Sequence, residues 1–139
     1  MENCVFCQII RGEQPTKVVY EDKNILCFLP QEIEVYGHTL IVPKRHFRDL
    51  YDIPKDLLCH LTEVIQILTK EYKIRINATG MNLLHASGRD GQQSVPHFHV
   101  HLFPRFKDDG LDTWPRLEKQ DFDREEIWRE LNLQKHNKR

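Results

Sequence analysis

The run His97-Phe98-His99-Val100-His101-Leu102-Phe103 alternates imidazoles with bulky apolar side chains. A period of two is the pattern of a β-strand, in which residues i, i+2 and i+4 share one face. His97, His99 and His101 therefore form a row on one side, while Phe98, Val100 and Leu102 point the other way into a core. The fold must bury one face of this strand and keep titratable rings on the other. A solvated strand face more readily carries Thr, Lys or Glu, and an apolar core has no use for three imidazoles. The pattern points to chemistry, either a metal site or nucleophilic and acid–base catalysis near neutral pH.

The rest of the chain predicts elements that could surround such a strand. Apolar residues at 5, 6, 9 and 10 suit a short helix ended by Gly12. Lys17–Tyr20 and Asn24–Leu29 are β-rich runs joined by the turn residues Glu21-Asp22-Lys23-Asn24. His38–Pro43 reads as a third strand. Leu57, Leu58, Leu61, Val64, Ile65, Leu68 and Tyr72 fall on helical spacing, which predicts a helix over 55–73 with Pro54 suited to its first turn. Gly80–His85 and Phe98–Phe103 are the last two strands, with Ala86–Pro96 as a turn-rich connection. Asp123 and Glu126 resemble a capping box before Ile127, Trp128 and Leu131, and the tail Gln134–Arg139 carries no apolar pattern and reads as frayed. Three strands, a helix and two strands, joined by hairpins without βαβ alternation, indicate an antiparallel α+β fold.

At 139 residues the chain suits one domain, residues 1–139, able to bury a core without staples. A net charge of −1 and no long basic face argue against nucleic acid as a bulk electrostatic partner, although Lys44, Arg45 and Arg105 stand next to the histidine-bearing segments. No apolar run reaches the length of about eighteen residues that a membrane span needs. The N-terminus lacks the basic start and apolar run of a secretory signal, so the expected compartment is the cytoplasm, where thiols stay reduced. Cys4 and Cys7 form C-x-x-C, while Cys27 and Cys59 are expected to be small buried side chains. A C-x-x-C suits half a zinc site or a redox pair; only three residues precede it here, which disfavours the strand-to-helix context of thioredoxin-like chemistry.

The flanks of the histidine row narrow the choice. Gln92-Gln93-Ser94-Val95-Pro96 leads into it and Pro104-Arg105 leaves it. Upstream, Gly37-His38-Thr39-Leu40-Ile41-Val42-Pro43-Lys44-Arg45-His46 is an apolar strand ending in a basic turn. The segments QSVPHFHVHLFPR and GHTLIVPKRH together resemble the histidine triad (HIT) family of nucleotide-binding hydrolases and transferases, in register from about Cys4 to Arg105, leaving 106–139 as a C-terminal extension.

This resemblance implies a five-stranded antiparallel sheet with one long helix, pairing into a homodimer. It implies that His99 attacks the α-phosphorus of a nucleotidyl substrate (a phosphoramidate, a dinucleoside polyphosphate or similar) to form a nucleotidyl-histidine that water hydrolyses. His101 then holds phosphate oxygens, and Gln93 and Ser94 reach the bridging atom or leaving group. The nucleotide lies on His99, His101, Gln93 and Ser94, with the base near Leu29 and the loop to Val35. Where many HIT proteins carry a ribose-binding Asp this chain has Pro30, which leaves Glu32 or Glu34 as the acidic side chains of that loop. Ala86 stands where an Asn is usual. Cys4, Cys7, His46 and His97 match the set with which some bacterial-type members hold a structural zinc, a sound tetrahedral Cys₂His₂ combination.

Three readings remain open at this point: a HIT nucleotide hydrolase, a zinc–water hydrolase with all three triad histidines on one metal, and a non-catalytic nucleotide-binding or interaction protein. The position of the metal-ligating side chains separates the first two.

Overall fold

The computed structural model describes residues 3–134, so most of the tail Gln134–Arg139 lies outside the described residues. In chain order the elements are α1 (Val5–Ile10), β1 (Lys17–Glu21), β2 (Ile25–Leu29), β3 (Thr39–Pro43), α2 (Lys55–Arg75), β4 (Gly80–Leu84), β5 (Val100–Arg105) and α3 (Arg124–Leu131). The five strands form one antiparallel sheet in the order β1-β2-β3-β5-β4. The α+β class and the five-stranded sheet with a long helix are as the sequence led us to expect.

Strand alternation sorts the side chains onto two faces, each covered by a helix. On one face, Ile25, Cys27, Ile41, Val100 and Leu102 pack with Phe98 against the apolar stripe of α2, formed by Leu61, Val64, Leu68 and Tyr72. On the other, Leu26, Phe28, Leu40 and Val42 pack with Cys4, Phe6 and Cys7 of the α1 segment. The register places His101 opposite Leu40 on β3 and Leu84 on β4, so the histidine face is the α1 face. Asp22 closes the β1–β2 turn by accepting from the backbone N–H of Asn24 and Ile25, both at 2.8 Å.

Two boundaries and the burial of one cysteine differ from expectation. Strand β5 starts at Val100, two residues later than predicted, because Phe98 donates its N–H to Phe47 O (2.6 Å) instead of to a sheet neighbour. His97 and His99 thus precede the ladder and are held by a loop-to-loop bond that also draws the His46 segment alongside. Helix α2 runs two residues past 73, to Arg75, and Asn77 follows in a left-handed conformation (φ 60°). Cys59, expected to be buried, is exposed: it lies off the stripe that Leu61, Val64 and Leu68 turn toward the sheet. Cys27 is buried as expected.

The C-terminal segment leaves the sheet at Arg105, whose guanidinium holds Asp109 (2.8 Å), Asn82 (2.9 Å) and Thr113 (3.1 Å). Asp123 caps α3 through the N–H groups of Glu125 and Glu126, and no residue of that helix is buried.

Candidate active site

The alternating histidines separate into two sites. His99 and His101 are neighbours, with ring centroids 5.2 Å apart, and both line an open cleft of about 290 Å³. His97 is fully buried and turns toward His46 (centroids 4.8 Å) and the two cysteines. Phe6 of α1 stands edge-on to both His97 and His99, at 5.7 and 5.1 Å, and seals the gap between the sites.

In the cleft, backbone partners set the proton positions. A carbonyl can only accept, so His99 donates Nδ1–H to His97 O (2.8 Å) and keeps an unprotonated Nε2. The opposite arrangement holds at His101. The N–H of Glu34 donates to His38 Nδ1 (3.3 Å), so a neutral His38 carries its proton on Nε2 and gives it to His101 Nδ1 (2.9 Å). His101 then bears its own proton on Nε2, as a donor. Burial drives His38 down to about 4, which keeps it neutral near neutral pH and preserves this order. Burial also lowers the proton affinity of His99 and His101, and in each case a neighbouring imidazole adds to the fall. One ring therefore offers a lone pair and the next an N–H: a nucleophile beside a hydrogen-bond donor.

Gly37 makes the approach to His38 possible. Its φ of +83° is a left-handed conformation that glycine adopts freely, and a Cβ there would stand 2.9 Å from Pro104 Cγ.

The second site joins Cys4, Cys7, His46 and His97, whose ligand atoms all lie within 4.8 Å of one another. His97 Nδ1 is 3.4 Å from Cys4 Sγ, 3.6 Å from Cys7 Sγ and 3.1 Å from His46 Nδ1; Cys7 Sγ is 3.4 Å from His46 Nδ1. With bonds of about 2.3 Å to sulfur and 2.0–2.1 Å to nitrogen, a tetrahedral metal places S and N ligands roughly 3.5 Å apart, so the set has the right size. His97 donates Nε2–H to Pro43 O (2.8 Å), which leaves Nδ1 free to ligate and fixes the ring. Burial pushes the Cys7 thiol up and His97 down to about 4, so an empty site favours neutral groups, a balance that a cation would reverse. Among the described residues this is the one group with metal-ligand geometry. Because His97 belongs to it, the three triad histidines do not converge on a common metal.

The loop 85–99 determines which other side chains reach the cleft. Ser94 lines it. Gln93 does not: its amide accepts from Gly88 N (2.9 Å) and donates to Arg48 O (2.6 Å) and Val95 O (3.0 Å), clamping the loop from behind. Gln92, whose φ of +66° turns the chain at this point, faces the cleft in its place. Leu29 lies in a separate groove of about 380 Å³ over β1 and β2, with Phe28, Pro30 and Ile33. Glu32 lines neither space, whereas Glu34 lines the cleft. His85 also lines it: its ring donates Nδ1–H to His99 O (2.8 Å) and accepts from Ser87 Oγ at Nε2 (2.6 Å), while Ser87 Oγ accepts from Leu50 N (3.0 Å). Three contributors, His38, His85 and Gln92, were not assigned from sequence, although His38 lay within the GHTLIVPKRH segment and Gln92 within the lead-in to the histidine row; of the two acidic side chains named for the β2–β3 loop, Glu34 is the one that lines the cleft.

The sequence matches the HIT domain over residues 11–108. The chain belongs to the HIT family. An uncharacterised HIT-like protein of Methanocaldococcus jannaschii is 41% identical over 107 residues, covering 77% of this chain and 82% of its own. The adenosine 5'-monophosphoramidase of Candida albicans is 40% identical over 129 residues, covering 88% of this chain and 84% of its own. Among solved structures, a HIT family protein from Bacillus anthracis superposes with a TM-score of 0.84 at 31% identity, covering 98% of this chain and 97% of that one. A zinc-bound histidine triad protein from Mycobacterium smegmatis superposes with a TM-score of 0.77 at 35% identity, covering 92% of this chain and 89% of its own.

Within this HIT fold, two departures noted in the sequence acquire positions. Pro30 lines the apolar groove and brings no side-chain acceptor to it. Ala86 lines the cleft beside His85, so a longer polar ring stands next to the position where an amide is usual.

Proposed function

We propose that this HIT protein is a nucleotide hydrolase that cleaves at the α-phosphate of a nucleotidyl substrate through a covalent nucleotidyl-histidine on His99. The reading is carried by the opposed tautomers: the lone pair at His99 Nε2 and the N–H at His101 Nε2, each assigned by a backbone hydrogen bond. Attack by His99 forms a P–N bond and releases the leaving group; water then breaks that bond and frees the nucleoside monophosphate. His101 donates to a phosphate oxygen as charge accumulates, aided by the Ser94 hydroxyl. Gln93 acts by holding the loop, and Gln92 takes the place beside the reacting centre. The base occupies the apolar groove of Phe28, Leu29 and Ile33, on the β1–β2 side of the histidines. The family membership and the named activity of the Candida relative support this class of reaction.

Cys4, Cys7, His46 and His97 would hold a zinc ion that ties α1 to the 46 and 97 segments, a structural role supported by the donor spacing and by the zinc-bound relative. Two copies pair through β4, an edge strand with exposed Leu83 and Leu84; the other edge, β1, is broken by a register shift between Val18 and Tyr20 that disfavours edge pairing. The chain acts as a single HIT domain over 1–139, in the cytoplasm, on small nucleotides without a nucleic-acid or membrane partner. No helix among the described residues is long and apolar enough to cross a membrane.

Mass spectrometry after brief incubation with a panel of adenylate and guanylate derivatives tests the reading. The expected result is a nucleotidyl adduct on His99. Turnover with the adduct on another residue, or with none under conditions that trap intermediates, would contradict it.

A further inference from the structure

His99 stands just outside the sheet that displays it. The first paired positions of β5 are Val100, opposite Ile41 on β3, and His101, opposite Leu84 on β4. Continuing the β4–β5 register would set Ala86 opposite His99, but β4 ends at Leu84. The carbonyl oxygen of His99 takes its hydrogen bond from a side chain instead, His85 Nδ1–H at 2.8 Å.

Four groups form one chain with a single proton order. His99 O can only accept, so a neutral His85 carries its proton on Nδ1 and accepts at Nε2. Ser87 therefore gives its hydroxyl proton to Nε2 (2.6 Å), and its oxygen accepts the N–H of Leu50 (3.0 Å). A peptide N–H begins the chain and a peptide C=O ends it. Neither can exchange roles, so no member can turn over without breaking a bond. The His85 ring also lies over buried Phe98, with centroids 4.5 Å apart and 30° between the planes. Of Leu84, His85 and Ala86, which all border the cleft, His85 alone has a polar side chain, and both of its nitrogens are committed. It has neither a proton nor a lone pair left for a substrate.

We infer that His85, oriented by Ser87, is a positioning residue for the nucleophile: it fixes the carbonyl of His99 and with it the direction in which Nε2 meets the phosphorus. The inference rests on the nucleotidyl-transfer reading above. His99 is anchored twice, through its ring by the bond from Nδ1 to His97 O (2.8 Å) and through its main chain by His85. Release of the second anchor lets the residue swing about the first. Attack needs reacting atoms about 3–3.5 Å apart, and a misplacement of about 1 Å costs on the order of 100-fold.

The test separates bond formation from binding. The rate at which the His99 adduct forms from adenosine 5'-phosphoramidate is measured in a single turnover by rapid quench, and the Kd for adenosine monophosphate by calorimetry. The variants are His85→Phe, which keeps a ring over Phe98 but loses both hydrogen bonds, His85→Asn, whose amide N–H stands where Nδ1–H does but stops short of Ser87, and Ser87→Ala. His85→Phe is expected to slow adduct formation about 30- to 100-fold with the Kd within about twofold of wild type. His85→Asn should recover at least about tenfold of that loss, and Ser87→Ala should cost about five- to tenfold. An unchanged rate in His85→Phe, a Kd that weakens in step with the rate, or no recovery in His85→Asn would overturn the positioning role. If His85→Phe does not fold, Ser87→Ala decides: a wild-type rate there would overturn it too. A wild type that turns over the probe with no adduct on His99 would instead overturn the nucleotidyl-transfer reading.

Discussion

His97 and His99 are two residues apart, face the same side of the chain and each give one N–H to a backbone carbonyl, yet they belong to different sites. His97 donates from Nε2 to Pro43 O and keeps Nδ1; His99 donates from Nδ1 to His97 O and keeps Nε2. The free nitrogen of the first is enclosed with two thiols and another imidazole, and that of the second belongs to a ring lining an open cleft. A single peptide acceptor thus decides whether an imidazole is presented to a ligand cluster or to a substrate. The closed site should govern stability and the open site rate. Experiments that separate these two quantities put the comparison at risk.

The largest separation is expected at His99. His99→Ala should reduce turnover by at least about three orders of magnitude, in keeping with the loss of a nucleophile. Its melting temperature should stay close to wild type, because the apolar face of Phe98, Val100 and Leu102 is untouched. Since burial lowers the proton affinity of His99, the acid limb of the rate profile should lie below the ordinary imidazole range. The sign follows directly: a depressed value keeps the lone pair available as pH falls, until protonation at lower pH removes it. A His99→Ala protein retaining more than a few per cent of wild-type turnover would show that the cleft does not work through this ring.

Cys7→Ser probes the other site. If the cluster contributes even about 3 kcal/mol of the roughly 10–16 available to a structural zinc, the melting temperature should fall by about 10 °C. Turnover measured well below the new melting temperature should remain within about threefold of wild type, as for a ligand that touches no reacting atom. Elemental analysis should find about one zinc per wild-type chain and substantially less in the variant. A rate loss without a stability loss would invert the comparison.

The histidine row was legible in the alternation of 97–101 and half a ligand set in the C-x-x-C, because strand periodicity and ligand chemistry act locally, whereas the pairing of His46 and His97 with the two cysteines came from the family resemblance. What was not legible depends on partners distant in the chain. The tautomer of His101 is set by His38, sixty-three positions away, and that of His38 by the backbone of Glu34. The exchange of Gln92 for Gln93 follows from a left-handed residue inside a loop, where hydrophobic periodicity carries no signal. Cys59 illustrates the converse limit: an apolar helix neighbourhood does not place a residue on the buried stripe.

A smaller effect within the open site sharpens the tautomer argument. His101→Ala should lower turnover by about 100-fold, the scale for loss of one charge-stabilising donor. His38→Phe, which fills the buried space but removes the Nε2–H donor, should cost less, about tenfold, because His101 can then hold its proton on either nitrogen. Nitrogen-15 NMR of the imidazoles reads this directly. The wild type should show His101 protonated at Nε2, and the variant a mixture; an unchanged His101 tautomer in His38→Phe would remove His38 from the relay.

His60 offers the mildest contrast, because its environment reverses that of the site histidines. It lies on α2, bonded to Asp22 Oδ2 at 2.7 Å, with Glu63 at 3.6 Å. The Asp22 carboxylate, aided by Glu63, raises its proton affinity, where burial lowers that of His97, His99 and His101. A histidine whose folded-state pKa is raised stabilises the fold at pH values below its unfolded pKa, and that contribution is lost as pH rises through the folded value. The pair ties the β1–β2 turn to α2, but it is partly exposed and screened, so the effect is small. His60→Gln should therefore melt slightly below wild type at pH 5.5 and close to it at pH 9, with turnover unchanged at either pH. Equal melting differences at both pH values would mean that packing of the ring, not its charge beside Asp22, is what the fold uses.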